Sequence, residues 1–406
     1  MSKIVCVPLK GQLGDVILQN QMKNISQRSL ALHKKHRGKI EIKSKIPVRN
    51  RDDLSLAYTP GVGQVCLEIF KDPKKVYDYT IKKNMVAVVS DGSAVLGLGN
   101  LGPLGAIPVM EGKALLFKEF ANVDAFPICL DTQDVEEIIK AVKQLAPVFG
   151  GINLEDISAP RCFEIEERLR KELNIPVMHD DQHGTATVVL AGLINSLKLR
   201  KIKKEEAKIL INGVGAAGTA ITKILIGYGF KKIVLADSKG IVSEDRKDFN
   251  DEKKSLIKFI KEKAGSYEKI SGDLEIAIKN RDIFIGVSKA GLLSKEMIKT
   301  MSDMPIIFAL ANPIPEIMPD EAKSAGAFIV ATGRSDFPNQ LNNVLGFPGI
   351  FRGILDNKIK QFEQDMFVKA AEALAKCVKK PTVEYIIPKP FDKGVVKAVS
   401  RTFKKK

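Results

Sequence analysis

The sequence predicts an α/β chain built as two parallel-sheet units. Three observations lead there. Short apolar, β-rich runs alternate with segments of helical spacing along most of the 406 residues, the pattern that lays crossover helices on a parallel sheet. One run, Lys208-Ile-Leu-Ile-Asn212, is followed at once by Gly213-Val214-Gly215-Ala216-Ala217-Gly218 and a helix-spaced stretch over 219–226. The next run closes on Asp237, nineteen residues after Gly218.

The last two observations form a dinucleotide fingerprint in a strand–turn–helix setting, which makes this unit a Rossmann-type domain. Glycine permits the tight turn, lets backbone N–H groups approach a pyrophosphate, and lets helix and strand pack closely. The helix N-terminus then offers the phosphates the positive end of its dipole. Asp237, at the next strand end, is placed to accept hydrogen bonds from the adenine ribose hydroxyls. A merely tight turn would call for no acid at that spot.

The elements follow in order. Residues 1–25 read as an extension or docking arm, 26–35 as a short helix, and 39–48 as basic and partly extended. Pro60, Gly61 and Gly63 mark a turn before an apolar helix over 65–70. Runs at 85–89, 126–130 and 175–178 are strands, with helices over 135–145 and 160–173 between them. A helix over 186–197 leads into the second unit, with strands at 208–212, 233–237, 283–286, 306–309 and 328–331. The charged stretch 244–268 reads as a solvated helical excursion. Helices over 351–356 and 366–376 return to the first unit. The expected domains are the arm (1–25), an α/β substrate domain (26–179) completed by C-terminal helices (344–406), and the Rossmann domain (180–343).

A second glycine cluster, Gly97-Leu98-Gly99-Asn100-Leu101-Gly102, also fits G-x-G-x-x-G. Pro103 and Pro108 follow it, so no long helix is expected to start there, and the next strand-end acid, Asp131, lies too far off. A substrate-side loop is the favoured reading, a second nucleotide site the alternative.

Composition narrows the function classes. Hydrophobic content of 45% and charged content of 28% are ordinary for a globular chain. No apolar run reaches membrane-spanning length, and Lys10 and Gly11 interrupt the N-terminus before a signal-peptide core can form. A cytoplasmic location with no membrane partner is expected. The five cysteines are scattered, which argues against zinc and against a disulfide framework. The net charge of +16 comes from dispersed lysines with only 6% aromatics. No nucleic-acid partner is therefore expected; a solvated, lysine-rich surface that steers dianionic substrates fits better.

Two acid pairs follow apolar runs. Glu155-Asp156 comes after Gly150-Gly151-Ile152-Asn153-Leu154, and Asp180-Asp181 after Ile175-Pro176-Val177-Met178-His179. Strand ends are where parallel sheets build sites, and carboxylates without a Cys or His pattern suit Mg²⁺ or Mn²⁺, not zinc. Helix caps or solvated faces are the ordinary alternative. His179 and His183 would share a face only in a helix, and 180–184 reads as a loop whose histidines bond within it. Lys113 opens an apolar stretch; a desolvated lysine has a lowered pKa and can act as a general base. Tyr58 stands at a loop start where its hydroxyl could face a cleft. Taken singly, each would pass for a surface lysine or a half-buried tyrosine.

The segments LAYTPGV, VVSDGSAVLGLGNLGPLGAIPVMEGKALLFK, LEDI, HDDQHGTA, GVGAAG, ALANP and NNVLGFPGIFRG occur in that order. Together they resemble the small-subunit (bacterial-type) malic enzyme family over residues 26–390. The resemblance implies oxidative decarboxylation of L-malate to pyruvate and CO₂, with NAD⁺ or NADP⁺ and a divalent cation, in a homodimer. By matching motifs, Lys113 is the general base and Tyr58 the general acid. Glu155, Asp156 and Asp181 bind the metal, with Asp180 as a supporting carboxylate. Asn312 and Asn343, or its neighbour Asn342, contact substrate or nicotinamide. One departure is Ser93-Ala94, where the larger eukaryotic enzymes carry an arginine, so the malate carboxylate needs another partner. The chain is also expected to lack the acetyltransferase-like extension of some bacterial relatives. Asp237 favours NAD⁺, since a 2′-phosphate would meet its charge, whereas Lys231, Lys232 and Lys239 could accommodate NADP⁺. The competing functions are another two-domain dehydrogenase of amino-acid dehydrogenase type, an oxaloacetate decarboxylase, or an inactive nucleotide-sensing or nucleic-acid-binding protein.

Overall fold

A computed structural model describes residues 24–246, 248 and 251–404. The arm expected over 1–25 lies outside them except for its last two residues, which belong to a helix over 24–36. The first sheet holds β1 (Met85–Ser90), β2 (Asp124–Cys129), β3 (Gly151–Leu154) and β4 (Val177–His179) in the order β2-β1-β3-β4, all parallel. The second holds β5 (Lys208–Asn212), β6 (Lys232–Asp237), β7 (Gly240–Ile241), β8 (Ile283–Gly286), β9 (Ile306–Ala309) and β10 (Ile329–Thr332). Its order is β10-β9-β8-β5-β6-β7, with only β7 antiparallel. Strand order reverses beside β1 in one sheet and beside β5 in the other. Crevices for ligands open outside the strand C-termini at such points.

Period-two alternation shows in the packing. Val86 and Val88 of β1 face a core shared with the second sheet, while Ala87 and Val89 face the helices Val135–Leu145 and Arg161–Glu172. The helix Val135–Leu145 starts where Asp134 accepts from the Glu137 N–H at 3.0 Å, and its buried face is Ile138, Ile139 and Val142. The charged stretch after β7 does form a helix, Asp251–Ala264, but an amphipathic one that buries Leu256, Ile257 and Ile260.

Two expectations are corrected here. A long helix does begin at the second glycine cluster, Gly102–Ala121. Pro103 lies in its first turn, where no intrahelical N–H is needed. Pro108 removes one backbone bond further in, and burial of Ala106, Met110, Ala114 and Phe117 outweighs the loss. The segment 180–184 is also not a loop: the helix runs Asp180–Arg200, with fourteen of its twenty-one residues buried. Packed on several sides, it lacks the single apolar stripe that marks a helix start. At its far end Arg200 pairs with Asp282 at 2.6 Å, and Asp282 also accepts from the Lys208 N–H that opens β5, at 2.7 Å.

The C-terminal helix Phe347–Asn357 packs on Gly102–Ala121, with the Phe117 ring 4.7 Å from Phe347 and 5.3 Å from Phe351, both edge-on. The helix Gln364–Cys377 lies against Asp180–Arg200. Among the described residues, no helix is long and apolar enough to cross a membrane. Phe117→Ala should cost about 3–5 kcal/mol, as for large-to-small core changes, read as a lowered denaturation midpoint. An unchanged midpoint would show that the C-terminal helix is not anchored through this ring.

Candidate active site

Three elements bring the acidic residues and the lysine together. Lys113 projects from Gly102–Ala121, Glu155 and Asp156 follow β3, and Asp180 and Asp181 form the first turn of Asp180–Arg200. All but Asp181 are buried. The Lys113 Nζ lies 2.8 Å from Glu155 Oε1 and 2.6 Å from Asp180 Oδ2, and 4.2 Å from the centre of the Phe347 ring. Asp156, in the left-handed region at φ 53°, donates its backbone N–H to Asp181 Oδ2 at 2.9 Å. Gly184 is required by this packing, because a Cβ there would strike Asp180 Oδ1 and crowd Asn343.

The electrostatics correct the reading of Lys113 as a lysine of lowered pKa. Burial does pull it down, but the carboxylates of Asp180 and Glu155 outweigh burial and hold it well above its usual value, as an ammonium. The acids are also shifted. Burial pushes Glu155 well above the carboxylate range, and Asp181, Asp180 and Asp156 add to this against the pull of Lys113. Burial, then Asp181, brings Asp156 up to about 7. Four carboxyl groups thus face one ammonium.

The fit to a divalent cation rests on this donor set. Glu155, Asp156 and Asp181 each offer an oxygen, all within 4.8 Å of one another. Asp156 Oδ2 and Asp180 Oδ1 are buried without a hydrogen-bond partner. Oxygen-only ligands from carboxylates are what Mg²⁺ or Mn²⁺ take. Of the two histidines, only His183 is turned to another side. His183 stacks on Phe367 at 4.5 Å and pairs with Glu166 at 2.9 Å, on a side of the helix that faces a cleft of about 490 Å³ between helices. The His179 Nε2 lies 3.7 Å from Asp181.

The fingerprint has the expected form. Gly213 has φ +113°, a Cβ on Gly218 would collide with the Gly213 carbonyl, and the helix Ala216–Tyr228 begins at once. Asp237 ends β6 but already has partners: Arg246 grips it with two bonds at 2.9 and 3.1 Å, and Lys253 lies at 2.6 Å. Despite burial, these cations hold its carboxyl below the usual range.

Asn312 is exposed beside Gly333, and Asn342 reaches the Gly333 carbonyl at 3.5 Å. Gly97 of the second glycine cluster abuts the Asn312 carbonyl, so that loop meets the loop after β9. Ser93 donates to Asp91 at 2.6 Å and accepts from the Ser158 N–H at 2.9 Å. Tyr58 is 67% exposed, and the helix it ends, Arg51–Ala57, buries none of its residues.

Sequence reasoning missed three supporting groups. Phe347 lies under Lys113. Glu316, fully buried, accepts from the backbone N–H groups of Ser288 and Ala311, both at 3.0 Å, and so ties together the loops after β8 and β9. Glu166 braces the first turn of Asp180–Arg200. A signal for Glu166 existed, since it continues the buried face of Cys162, Ile165 and Leu169.

Two family descriptions match the chain: the malic enzyme N-terminal domain over residues 37–170 and the malic enzyme NAD-binding domain over 182–394. This chain belongs to the malic enzyme family. A bifunctional malic/malolactic enzyme of Bacillus subtilis is 56% identical, over 94% of this chain and 93% of that one. An NAD-dependent malic enzyme of Geobacillus stearothermophilus is 54% identical, over 93% and 77%. Relatives named NADP-dependent malic enzymes match at 44% to 46% identity. The crystal structure of an NAD-dependent malic enzyme from Thermotoga maritima superposes with a TM-score of 0.88 at 51% identity, covering 92% of this chain and 98% of that one.

Removing the ammonium should expose its structural role. Lys113→Ala leaves Glu155 and Asp180 buried without their counter-charge, a change that costs about 3–5 kcal/mol in buried ion pairs. The melting midpoint should fall in metal-free buffer, and saturating Mn²⁺ should recover part of the loss. An unaltered metal-free midpoint would show that the lysine does not hold the acids together.

Proposed function

We propose that the chain catalyses oxidative decarboxylation of L-malate to pyruvate and CO₂ with reduction of NAD(P)⁺. The observation that carries this reading is the buried oxygen-only cluster with its lysine, at the switch point of one sheet, in a chain whose other sheet carries a dinucleotide fingerprint at its own. An amino-acid dehydrogenase would have no use for three clustered carboxylates.

Lys113 is the proposed base for the malate C2 hydroxyl proton. It must be neutral at that moment, which requires the negative charge of Glu155 and Asp180 to be compensated. A divalent cation held by Glu155, Asp156 and Asp181 would supply Lewis-acid polarisation of the malate C2 oxygen and C1 carboxylate. Hydride acceptance is the nicotinamide's chemistry. Asp180 keeps Lys113 aimed, and Asn312, Asn342 and Asn343 are assigned substrate or nicotinamide contacts by their motifs. Tyr58 is assigned protonation of C3 by its motif alone. A homodimer in the cytoplasm completes the proposal.

NAD⁺ is the proposed acceptor, because Asp237 keeps its charge where a 2′-phosphate would sit. The cations around it, Arg246, Lys253 and Lys239, leave NADP⁺ as the second acceptor.

Initial rates with malate, Mn²⁺ and each cofactor test this reading. Activity should vanish with EDTA and return with Mn²⁺. Lys113→Ala and Tyr58→Phe should each lower kcat by about 10²- to 10⁴-fold, the range for proton-transfer groups, with NAD⁺ binding retained. Asp237→Ser should shift the kcat/KM ratio toward NADP⁺. Malate oxidation unaffected by EDTA, or by loss of Lys113, would remove the mechanism.

A further inference from the structure

Glu166 lies behind the acid cluster, on Arg161–Glu172, and is 5% exposed. Its Oε1 accepts the His179 backbone N–H at 3.0 Å and lies 2.9 Å from His183 Nε2, and its Oε2 accepts from Gln182 Nε2 at 3.0 Å. These three partners flank Asp180 and Asp181 on both sides. The N-cap residue, His179, gives the helix no side-chain cap. A carboxylate beside the helix N-terminus also meets the positive end of the dipole. Burial alone would raise this carboxyl, but the pairing with His183 and its hydrogen bonds hold it down at about 2.

We propose that Glu166 is a positioning residue that fixes the first turn of Asp180–Arg200, so that Asp181 and Asp180 converge with Glu155 and Asp156 on a divalent cation. The inference rests on the metal reading above. A carboxylate is needed because all of its bonds are accepted ones. The amide of a glutamine would turn an NH₂ toward at least one donor, so that either Gln182 flips its own amide or a donor is left buried without a partner, at a cost of about 1–3 kcal/mol. The turn would then shift, carrying Asp181 away from the oxygens of Glu155 and Asp156.

The test is direct Mn²⁺ binding, followed by the electron paramagnetic resonance of free Mn²⁺, on the whole chain without malate or cofactor. Glu166→Gln should weaken Mn²⁺ binding by about 10- to 100-fold, as loss of groups supporting metal ligands does. With malate and NAD⁺ present, the apparent KM for Mn²⁺ should rise while kcat at saturating Mn²⁺ stays near wild type. Leu256→Ala, in the buried face of Asp251–Ala264, serves as the control for lost stability: it should lower the melting midpoint and leave Mn²⁺ affinity unchanged. A wild-type chain that binds no Mn²⁺ would overturn the metal reading itself. Wild-type binding matched by Glu166→Gln, or equal weakening in Leu256→Ala, would overturn the role of Glu166 alone.

Discussion

The site depends on one buried cation. Lys113 has two carboxylates within 3 Å, on residues far apart in sequence, and its ammonium is the positive charge that lets Glu155 and Asp180 share a dry space. Without it, acids from the end of β3 and the start of Asp180–Arg200 would repel in a medium that screens poorly. The pairing therefore ties the first sheet to the helix joining the two sheets, and fixes where a cation or substrate can enter. The arrangement also fixes the lysine's resting state: it is ammonium until the surrounding charge changes.

The two sheets use the same architectural rule. Each puts its chemistry at the open end of its parallel strands where the order reverses, the acids beyond β3 and the glycines beyond β5. Loops from the two units meet at Gly97 and Asn312, and Glu316 holds the second unit's contribution in place by binding backbone on two loops at once. A buried carboxylate that satisfies backbone N–H groups substitutes for secondary structure where the chain has none.

Much of this was legible in the sequence, for definite reasons. Strands buried on both faces leave continuous apolar runs, so β1, β5, β6, β8 and β9 stand out, and the fingerprint glycines follow from the geometry a pyrophosphate needs. The acid pairs were readable as a site because they end strands. The start of Asp180–Arg200 was hidden because polar residues and Gly184 occupy its first turns for the sake of the site, against helix propensity. Pro103 follows the glycines as a helix breaker would, yet its place in the first turn makes it a helix starter. The raised pKa of Lys113 could not be read from an apolar neighbourhood alone; it needed two carboxylates from other parts of the chain. The surroundings of Tyr58 depend on tertiary placement, which its tripeptide does not encode.

Asp180–Arg200 has the acid pair at one end and, through Arg200 and Asp282, the starts of β5 and β8 at the other. Its twenty-one residues make a rod about 30 Å long, at 1.5 Å per residue. Such a rod is a gauge: adding or deleting one residue would swing the acids through about 100° and move them about 1.5 Å along the axis. Loops elsewhere can lengthen and drift, but this span has a fixed count.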